Sequence, residues 1–169
     1  MRVAEAVGRT LAQLGIGHAF GVTGSGNFHV TNALIDGGVK FTAARHENGA
    51  ACMADAYSRA SGQVSVLSVH QGCGLTNAMT GIGEAAKSRT PLLVLSGETP
   101  PTDKASNFWI NQEGAVSALG AKVERIHSAR TAVADAVRAY RLARDGRRTV
   151  LLNLPLDVQE EQIDWSPDL

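Results

Sequence analysis

The chain of 169 residues is the size of one domain and is large enough to bury a hydrophobic core. Its 16 Lys and Arg residues balance 16 Asp and Glu residues, so it lacks the basic excess that nucleic-acid binding requires. Two cysteines indicate no disulfide framework, and the longest aliphatic run, Leu92–Leu95, is too short to span a bilayer. Because no signal segment is recognisable, we expect a cytoplasmic protein with no nucleic-acid or membrane partner.

Helix and strand signals alternate about six times along the chain. In chain order the predicted strands cover residues 18–22, 39–43, 64–69, 92–95, 122–126 and 149–154. The predicted helices cover about residues 3–14, 28–36, 47–61, 75–88, 112–119 and 129–145, the last one capped by Ser128. This alternation predicts a three-layer α/β/α fold with a six-stranded, mainly parallel sheet and right-handed crossovers.

Periodicity and composition also indicate features of individual elements. The second helix carries Phe28, Leu34 and Ile35. The strand 92–95 is the most apolar and is predicted to be central and buried on both faces. The last helix is predicted to turn four residues inward: Val133, Ala136, Val137 and Tyr140.

The helix that opens within Arg45–Arg59 carries the most informative local pattern. Its predicted apolar face consists of Ala50, Met53, Ala54 and Tyr57. Its predicted polar face consists of Asn48, Cys52, Asp55 and Arg59. Glu47 lies at the edge of the apolar face and heads a row of small residues, where it is a candidate proton donor or acceptor. The alternative is an acid that only complements the helix dipole.

Polar or glycine-rich segments follow four predicted strands. They are Gly24–Gly26, His46–Glu47, His70–Asn77 and Gly97–Glu98. Ligands of parallel sheets bind at the carboxyl ends of strands, so we expect a binding site along this edge.

The glycine-rich segments at this edge can be compared with two nucleotide-binding motifs, the P-loop and the dinucleotide fingerprint. No Lys follows a Gly anywhere in the sequence, which excludes a P-loop. The segment Gly72–Asn77 approaches the dinucleotide fingerprint GxGxxG, but Asn77 stands where the third glycine belongs. A Rossmann-type nucleotide-binding domain stays open as an alternative, and no side-chain cluster with metal-ligand spacing is predicted.

Taken together, these segments resemble the N-terminal pyrimidine-binding domain of thiamine diphosphate enzymes such as acetolactate synthase and benzoylformate decarboxylase. The matching segments, in order, are Phe20–Gly24, Arg45–Gly62, Gly72–Asn77, Pro91–Leu93, Gln112 and Leu154–Val158. Thr23 and Cys73 stand where the family has proline, and Asn111 stands where synthases usually have phenylalanine. These departures leave the substrate class open.

The resemblance implies a role for each residue of the candidate site. Glu47 would hydrogen-bond the pyrimidine N1′ and activate the cofactor. His70 would take part in proton transfer, with a hydrogen-bonded turn residue as its alternative. The implied cofactor-binding residues are Gly24, Ser25, Glu47, Gly72, Asn77 and Gln112.

The implied function is the pyrimidine-binding half of a thiamine diphosphate-dependent enzyme that decarboxylates or ligates a 2-oxo acid. The sequence contains no Gly-Asp-Gly, the family's diphosphate motif. We therefore expect a diphosphate-binding domain or subunit as partner, Mg²⁺ only through that partner, and a homodimer or larger assembly. Residues 1–158 are the predicted domain and 159–169 a tail or the start of a linker, in either a longer enzyme or a small subunit. The alternative function is a non-catalytic assembly or regulatory module of the same fold.

Overall fold

A computed structural model describes residues 1–166. Its strands are β1 (His18–Gly21), β2 (Lys40–Ala43), β3 (Ser65–Val69), β4 (Leu92–Glu98), β5 (Lys122–Arg125) and β6 (Thr149–Pro155). Its helices are α1 (Val3–Gln13), α2 (Phe28–Asp36), α3 (Glu47–Ser61), α4 (Cys73–Asn77), α5 (Met79–Lys87), α6 (Gln112–Ala118), α7 (Ala132–Asp145) and α8 (Leu156–Glu160). The six strands pair in the order β2-β1-β3-β4-β6-β5, and every pairing is parallel. The predicted three-layer fold with a six-stranded, mainly parallel sheet is confirmed.

Two hydrophobic layers cover the sheet. On one face α1, α2 and α7 pack against Leu93 and Leu95 of β4, and on the other face α3 to α6 pack against Leu92 and Val94. Side chains alternate between the faces of a strand, so a strand covered on both sides must be apolar throughout. β4 is buried on both faces, as its sequence predicted.

The strand order reverses next to β1. The chain leaves β1 toward β2 on one side, whereas β3 and β4 follow on the other side. The helices after β1 and β3 accordingly lie on opposite faces, α2 in one layer and α4 in the other. Such a reversal leaves a crevice at the carboxyl ends of the two strands, which is where ligands of open α/β sheets bind.

Two helix predictions were wrong in detail. The helix expected to run from about Leu75 to Ser88 is divided at Ala78 into α4 and α5. The last helix begins at Ala132 with Thr131 as its N-cap, rather than directly after Ser128. The hydroxyl of Ser128 lies 3.1 Å from that of Thr131, so Ser128 belongs to the turn before the helix.

The structure also shows which faces of α2, α3 and α7 are buried, and the faces predicted for α3 and α7 are partly wrong. In α2, Phe28 and Ile35 are 47% and 44% exposed, whereas Leu34 is buried. In α7, Val133 and Val137 are only half-buried. The inner face of α7 consists of Ala132, Asp135, Ala136, Ala139, Tyr140 and Ala143.

In α3 the buried side is the row of small residues headed by Glu47. Its buried residues are Ala50, Ala51, Ala54, Asp55 and Ser58, whereas Met53 and Tyr57 are half-buried. Asp55, predicted on the polar face, is 8% exposed and accepts a hydrogen bond from the Thr90 hydroxyl. The shift arises because α3 is covered by α5 as well as by the sheet. The two helices approach so closely that a Cβ on Gly81 would lie 2.5 Å from the Cβ of Ala51.

The segment after β6 packs along α1. It forms α8, and Gln162 then makes an antiparallel bridge with Arg2. The indole N–H of Trp165 donates to the Thr10 hydroxyl at 2.9 Å. The domain boundary after residue 158 stays a prediction. Residues 167–169 of the predicted tail lie outside the described part of the chain.

Among residues 1–166, no helix is long and apolar enough to cross a bilayer.

Asp135 is a buried acid that organises the loop before α7. Its carboxylate accepts hydrogen bonds from the backbone N–H of His127, the Thr131 hydroxyl and the Arg138 guanidinium. Burial raises the pKa of Asp135, but these hydrogen bonds lower it by more, so its pKa lies below the ordinary 3.8. The stability contributed by Asp135 is therefore present above the ordinary carboxyl pKa and is lost as the pH falls through the lower pKa of the folded state.

We expect Asp135→Asn to lower the free energy of local unfolding around α7 by about 1–3 kcal/mol at pH 7, because it weakens charged hydrogen bonds. This deficit should shrink as the pH falls below the ordinary carboxyl pKa of 3.8 toward the lower pKa of the folded state. Native-state hydrogen exchange of the α7 amides measures both values. Asp145→Asn is the control, since its pair with Arg144 is exposed to solvent and is expected to contribute little to stability. A deficit that does not change with pH would contradict this account.

Candidate active site

Five of the predicted site residues lie at the ends of three neighbouring strands, at one edge of the sheet. Gly24 and Ser25 follow β1, Glu47 opens α3 after β2, and His70 and Gly72 follow β3. Because β1 pairs with both β2 and β3, these three loops are neighbours. They lie at the crevice where the strand order reverses.

Glu47 is half-buried and is bonded through one of its two carboxylate oxygens. Its Oε2 accepts a hydrogen bond from the side-chain amide of Asn77 at 3.0 Å. Within residues 1–166 its Oε1 accepts no hydrogen bond. A Cβ on Gly74 would lie 3.6 Å from Oε1 and 2.9 Å from the Cβ of His70. The glycine therefore keeps the space between Glu47 and His70 free of a side chain.

His70 is held in one tautomer by its surroundings. Its Nδ1 lies 2.8 Å from the backbone carbonyl of Gln71, which can only accept, so Nδ1 carries the proton. Nε2 is then an acceptor, and it lies 3.2 Å from the Ser25 hydroxyl. The ring also packs edge-on against Phe108, with centroids 4.9 Å apart. A neutral imidazole with a free lone pair beside a hydroxyl can accept and return a proton.

Gly24 is required by this arrangement. A Cβ on Gly24 would lie 2.7 Å from Cδ2 of His70, so a side chain there would displace the imidazole. Its backbone N–H donates to the side-chain oxygen of Asn27 at 2.7 Å.

Gln112 is buried and its side-chain amide is fully engaged within the chain. Its oxygen accepts from the backbone N–H of Gly72 at 2.9 Å. Its nitrogen donates to the carbonyl of Gly97 at 3.0 Å and to the side-chain oxygen of Asn153 at 2.8 Å. In this structure Gln112 joins the ends of β3, β4 and β6, so it supports the loop that carries His70 rather than presenting its amide at the surface.

Three residues outside the set of predicted site residues also shape the site. Asn27 donates to the Val22 carbonyl and to the Ser68 hydroxyl, which orders the loop after β1. Phe108 covers His70 from the long connection after β4. Gln71 is 4% exposed, and its Oε1 accepts no hydrogen bond from residues 1–166. The glycine turn before Asn27 could have indicated the first residue, since asparagine often bonds its own turn.

No group of three or more His, Cys, Asp and Glu side chains that could hold a metal ion occurs within the described residues.

The fold and the crevice define a doubly wound α/β domain, a class that binds cofactors where the strand order reverses. A profile of the family described as "Thiamine pyrophosphate enzyme, N-terminal TPP binding domain" matches residues 1–119. The chain belongs to this family, as its resemblance predicted. Thiamine pyrophosphate and thiamine diphosphate are two names for the same cofactor.

Individual relatives have different activities. The acetolactate synthase large subunit of Lactococcus lactis is 34% identical over 92% of this chain and 28% of that protein. A probable 2-ketoarginine decarboxylase of Pseudomonas aeruginosa is 32% identical over 96% of this chain and 30% of that protein. A sulfoacetaldehyde acetyltransferase of Roseovarius nubinhibens is 35% identical over 68% of this chain and 18% of that protein. The chain thus spans less than a third of the length of these relatives.

The residues at the crevice suit the pyrimidine end of thiamine diphosphate. Glu47 supplies a carboxylate oxygen that accepts no hydrogen bond from residues 1–166, and Gly74 leaves space beside it. An aminopyrimidine ring is flat and carries ring nitrogens and an amino group. A carboxylate oxygen that accepts no hydrogen bond from residues 1–166 suits a ring nitrogen of such a group.

Proposed function

We propose that this chain is the pyrimidine-binding half of a thiamine diphosphate-dependent enzyme that acts on a 2-oxo acid by decarboxylation or carboligation. The observation that carries the proposal is the position of Glu47, which is half-buried at the strand reversal with one carboxylate oxygen held and the other accepting no bond from residues 1–166. The family of the chain supports the cofactor. The names of two relatives, an acetolactate synthase and a 2-ketoarginine decarboxylase, support the substrate class.

When bound, the cofactor supplies a thiazolium carbon that, once deprotonated, can attack the carbonyl of the substrate. Glu47 holds or releases a proton at its Oε1, where the pyrimidine N1′ would be bonded. Gly24 and Ser25 border the crevice beside His70. His70 accepts a proton at Nε2, and its Nδ1–H bond to the Gln71 carbonyl keeps that nitrogen available.

The other half of the site is assigned to a separate diphosphate-binding region that uses Mg²⁺. We refer to this chain together with that region as the assembled enzyme, and we propose that it is a dimer or larger. A site shared between two regions can be complete only in an assembly. Neither region alone would bind the whole cofactor tightly.

The direct test compares this chain alone with the assembled enzyme. Isothermal titration calorimetry is expected to show weak binding of thiamine diphosphate to the chain alone and Mg²⁺-dependent tight binding to the assembly. Turnover of a panel of 2-oxo acids should occur only in the assembly. Tight binding of NAD by the chain alone would instead support a nucleotide-binding domain. Hydrogen–deuterium exchange at the thiazolium C2 of the bound cofactor reports its activation. Tight cofactor binding by an assembly that shows no such exchange would support a non-catalytic module.

We expect His70→Ala to lower kcat/KM for the 2-oxo acid by about 100-fold in the assembled enzyme, because a proton-transfer group is lost. Hydrogen–deuterium exchange at C2 of the bound cofactor should stay within about threefold of wild type. Alanine keeps the Cβ that faces Gly74, and Glu47 keeps its hydrogen bond from Asn77. His29→Ala, a histidine on α2 that contacts Arg2, is the control. Loss of C2 exchange in His70→Ala would instead assign His70 to cofactor activation or to structure.

A further inference from the structure

Asn77 joins the loop after β3 to the acid after β2. It is the last residue of α4, directly before the break at Ala78, and its side chain is exposed at the crevice. Its Nδ2 donates to Oε2 of Glu47 at 3.0 Å. Asn77 was expected from the sequence only as a residue that binds the cofactor.

The geometry separates the roles of the two carboxylate oxygens. Asn77 occupies Oε2, whereas Oε1 faces the space beside Gly74. A glutamate side chain has three rotatable bonds, and ordering them costs conformational entropy. A hydrogen bond to one oxygen restricts these rotations and thereby directs the other oxygen.

The backbone around Glu47 is fixed independently of Asn77. The imidazole of His46 caps α3 by accepting from the backbone N–H of Asn48 at 3.2 Å. The side-chain oxygen of Asn48 accepts from the backbone N–H of Gly81 at 2.9 Å, which ties α3 to α5. The contribution of Asn77 is therefore confined to the Glu47 side chain.

We propose that Asn77 is a positioning residue that acts through Glu47, holding Oε2 so that Oε1 is presented to the pyrimidine. This inference rests on the proposed role of Glu47. It requires a hydrogen-bond donor at position 77, because the ionised carboxylate can only accept. Aspartate has the shape of asparagine but offers no donor when ionised.

The test uses Asn77→Ala and Asn77→Asp in the assembled enzyme. Asn77→Ala should lower the rate of C2 hydrogen exchange about 10-fold, the loss expected for one hydrogen bond to a charged group. Asn77→Asp should lower it about 100-fold, because it also places a second negative charge beside Glu47. A purely structural role predicts the opposite order, since aspartate preserves the shape of the side chain. The thiamine diphosphate concentration at half-saturation should change less than about threefold in both variants.

A double-mutant cycle shows whether Asn77 acts through Glu47. In a Glu47→Gln background, Asn77→Ala should cause less than about a twofold further loss of exchange. Asn32→Ala and Asn32→Asp, at an exposed asparagine on α2, are the matched controls and should retain wild-type exchange.

Crystal structures of the cofactor-free variants provide a readout that does not depend on turnover. We expect the Glu47 carboxylate to leave its wild-type position in Asn77→Asp, while the backbone of α3 and the Asn48 bond to Gly81 are unchanged. Wild-type exchange in both Asn77 variants, together with inactive Glu47→Gln, would overturn this inference alone. Full activity in Glu47→Gln would overturn the proposed function.

Discussion

Glu47→Gln in the assembled enzyme is expected to lower the rate of C2 hydrogen exchange of bound thiamine diphosphate, and turnover with it, by about 1000-fold. Glutamine keeps the shape of the side chain and can still bond Asn77 through its amide oxygen. The amide nitrogen that replaces Oε1 cannot gain or lose a proton. Proton transfer is the role proposed for Oε1. The expected loss therefore comes from proton transfer rather than from packing.

The control for this experiment is Glu113→Gln. Glu113 is an exposed acid in the first turn of α6, so it shares the helix-dipole position of Glu47 but not its place at the strand reversal. We expect Glu113→Gln to retain wild-type exchange and to lower stability by less than about 1 kcal/mol. Equal losses in the two variants, or full exchange in Glu47→Gln, would assign Glu47 to the helix dipole alone.

Gly72→Ala is expected to lower the free energy of local unfolding at the carboxyl edge of the sheet by about 3–5 kcal/mol. Gly72 has φ 62 and ψ −104, a conformation that side chains rarely adopt. A Cβ there would lie 2.4 Å from the backbone carbonyl oxygen of Phe108, which cannot move without displacing the connection over His70. The same shift would break the bond from the Gly72 N–H to Gln112.

Gly62→Ala provides the matched comparison. Gly62 also has a positive φ, of 72, but a Cβ there would meet no atom within 4 Å. Its cost should therefore be only the conformational one, about 1 kcal/mol. Hydrogen exchange of the β3 and β4 amides measures the free energy of local unfolding in Gly72→Ala. Exchange at the end of α3 measures it in Gly62→Ala. Similar costs at the two glycines would show that the contact with Phe108 does not constrain the loop.

The Gly72 variant also tests how the site is supported. If Gln112 and Phe108 hold the loop that carries His70, Gly72→Ala should reduce turnover even in protein that stays folded. A destabilised but fully active variant would show that the loop adapts without loss of function.

The sequence predicted the fold because its signals are local. The alternation of apolar strands with helices and glycine turns predicts a parallel sheet. The four polar segments at strand ends predict a site along one edge of that sheet. The helix faces were predicted less well, because a periodic pattern does not show how many neighbours cover a helix. Asp55 was assigned to solvent and is buried, since α5 covers α3 on a side that the pattern left open.

The side-chain partners of the site could not be read from the sequence. Glu47 and Asn77 are separated by 30 positions, and Gly72 and Gln112 by 40. Which donor meets which acceptor depends on the order of the strands and on the break at Ala78.

The sequence by itself determined the fold class, the family and the place of Glu47 at the end of a strand, because these depend on residue type and on order along the chain. Only the tertiary structure decided which oxygen of Glu47 is held, which nitrogen of His70 is free, and that Gln112 bonds inward. Hydrogen bonds are short and directional, so they are specified only when strands distant in sequence become neighbours.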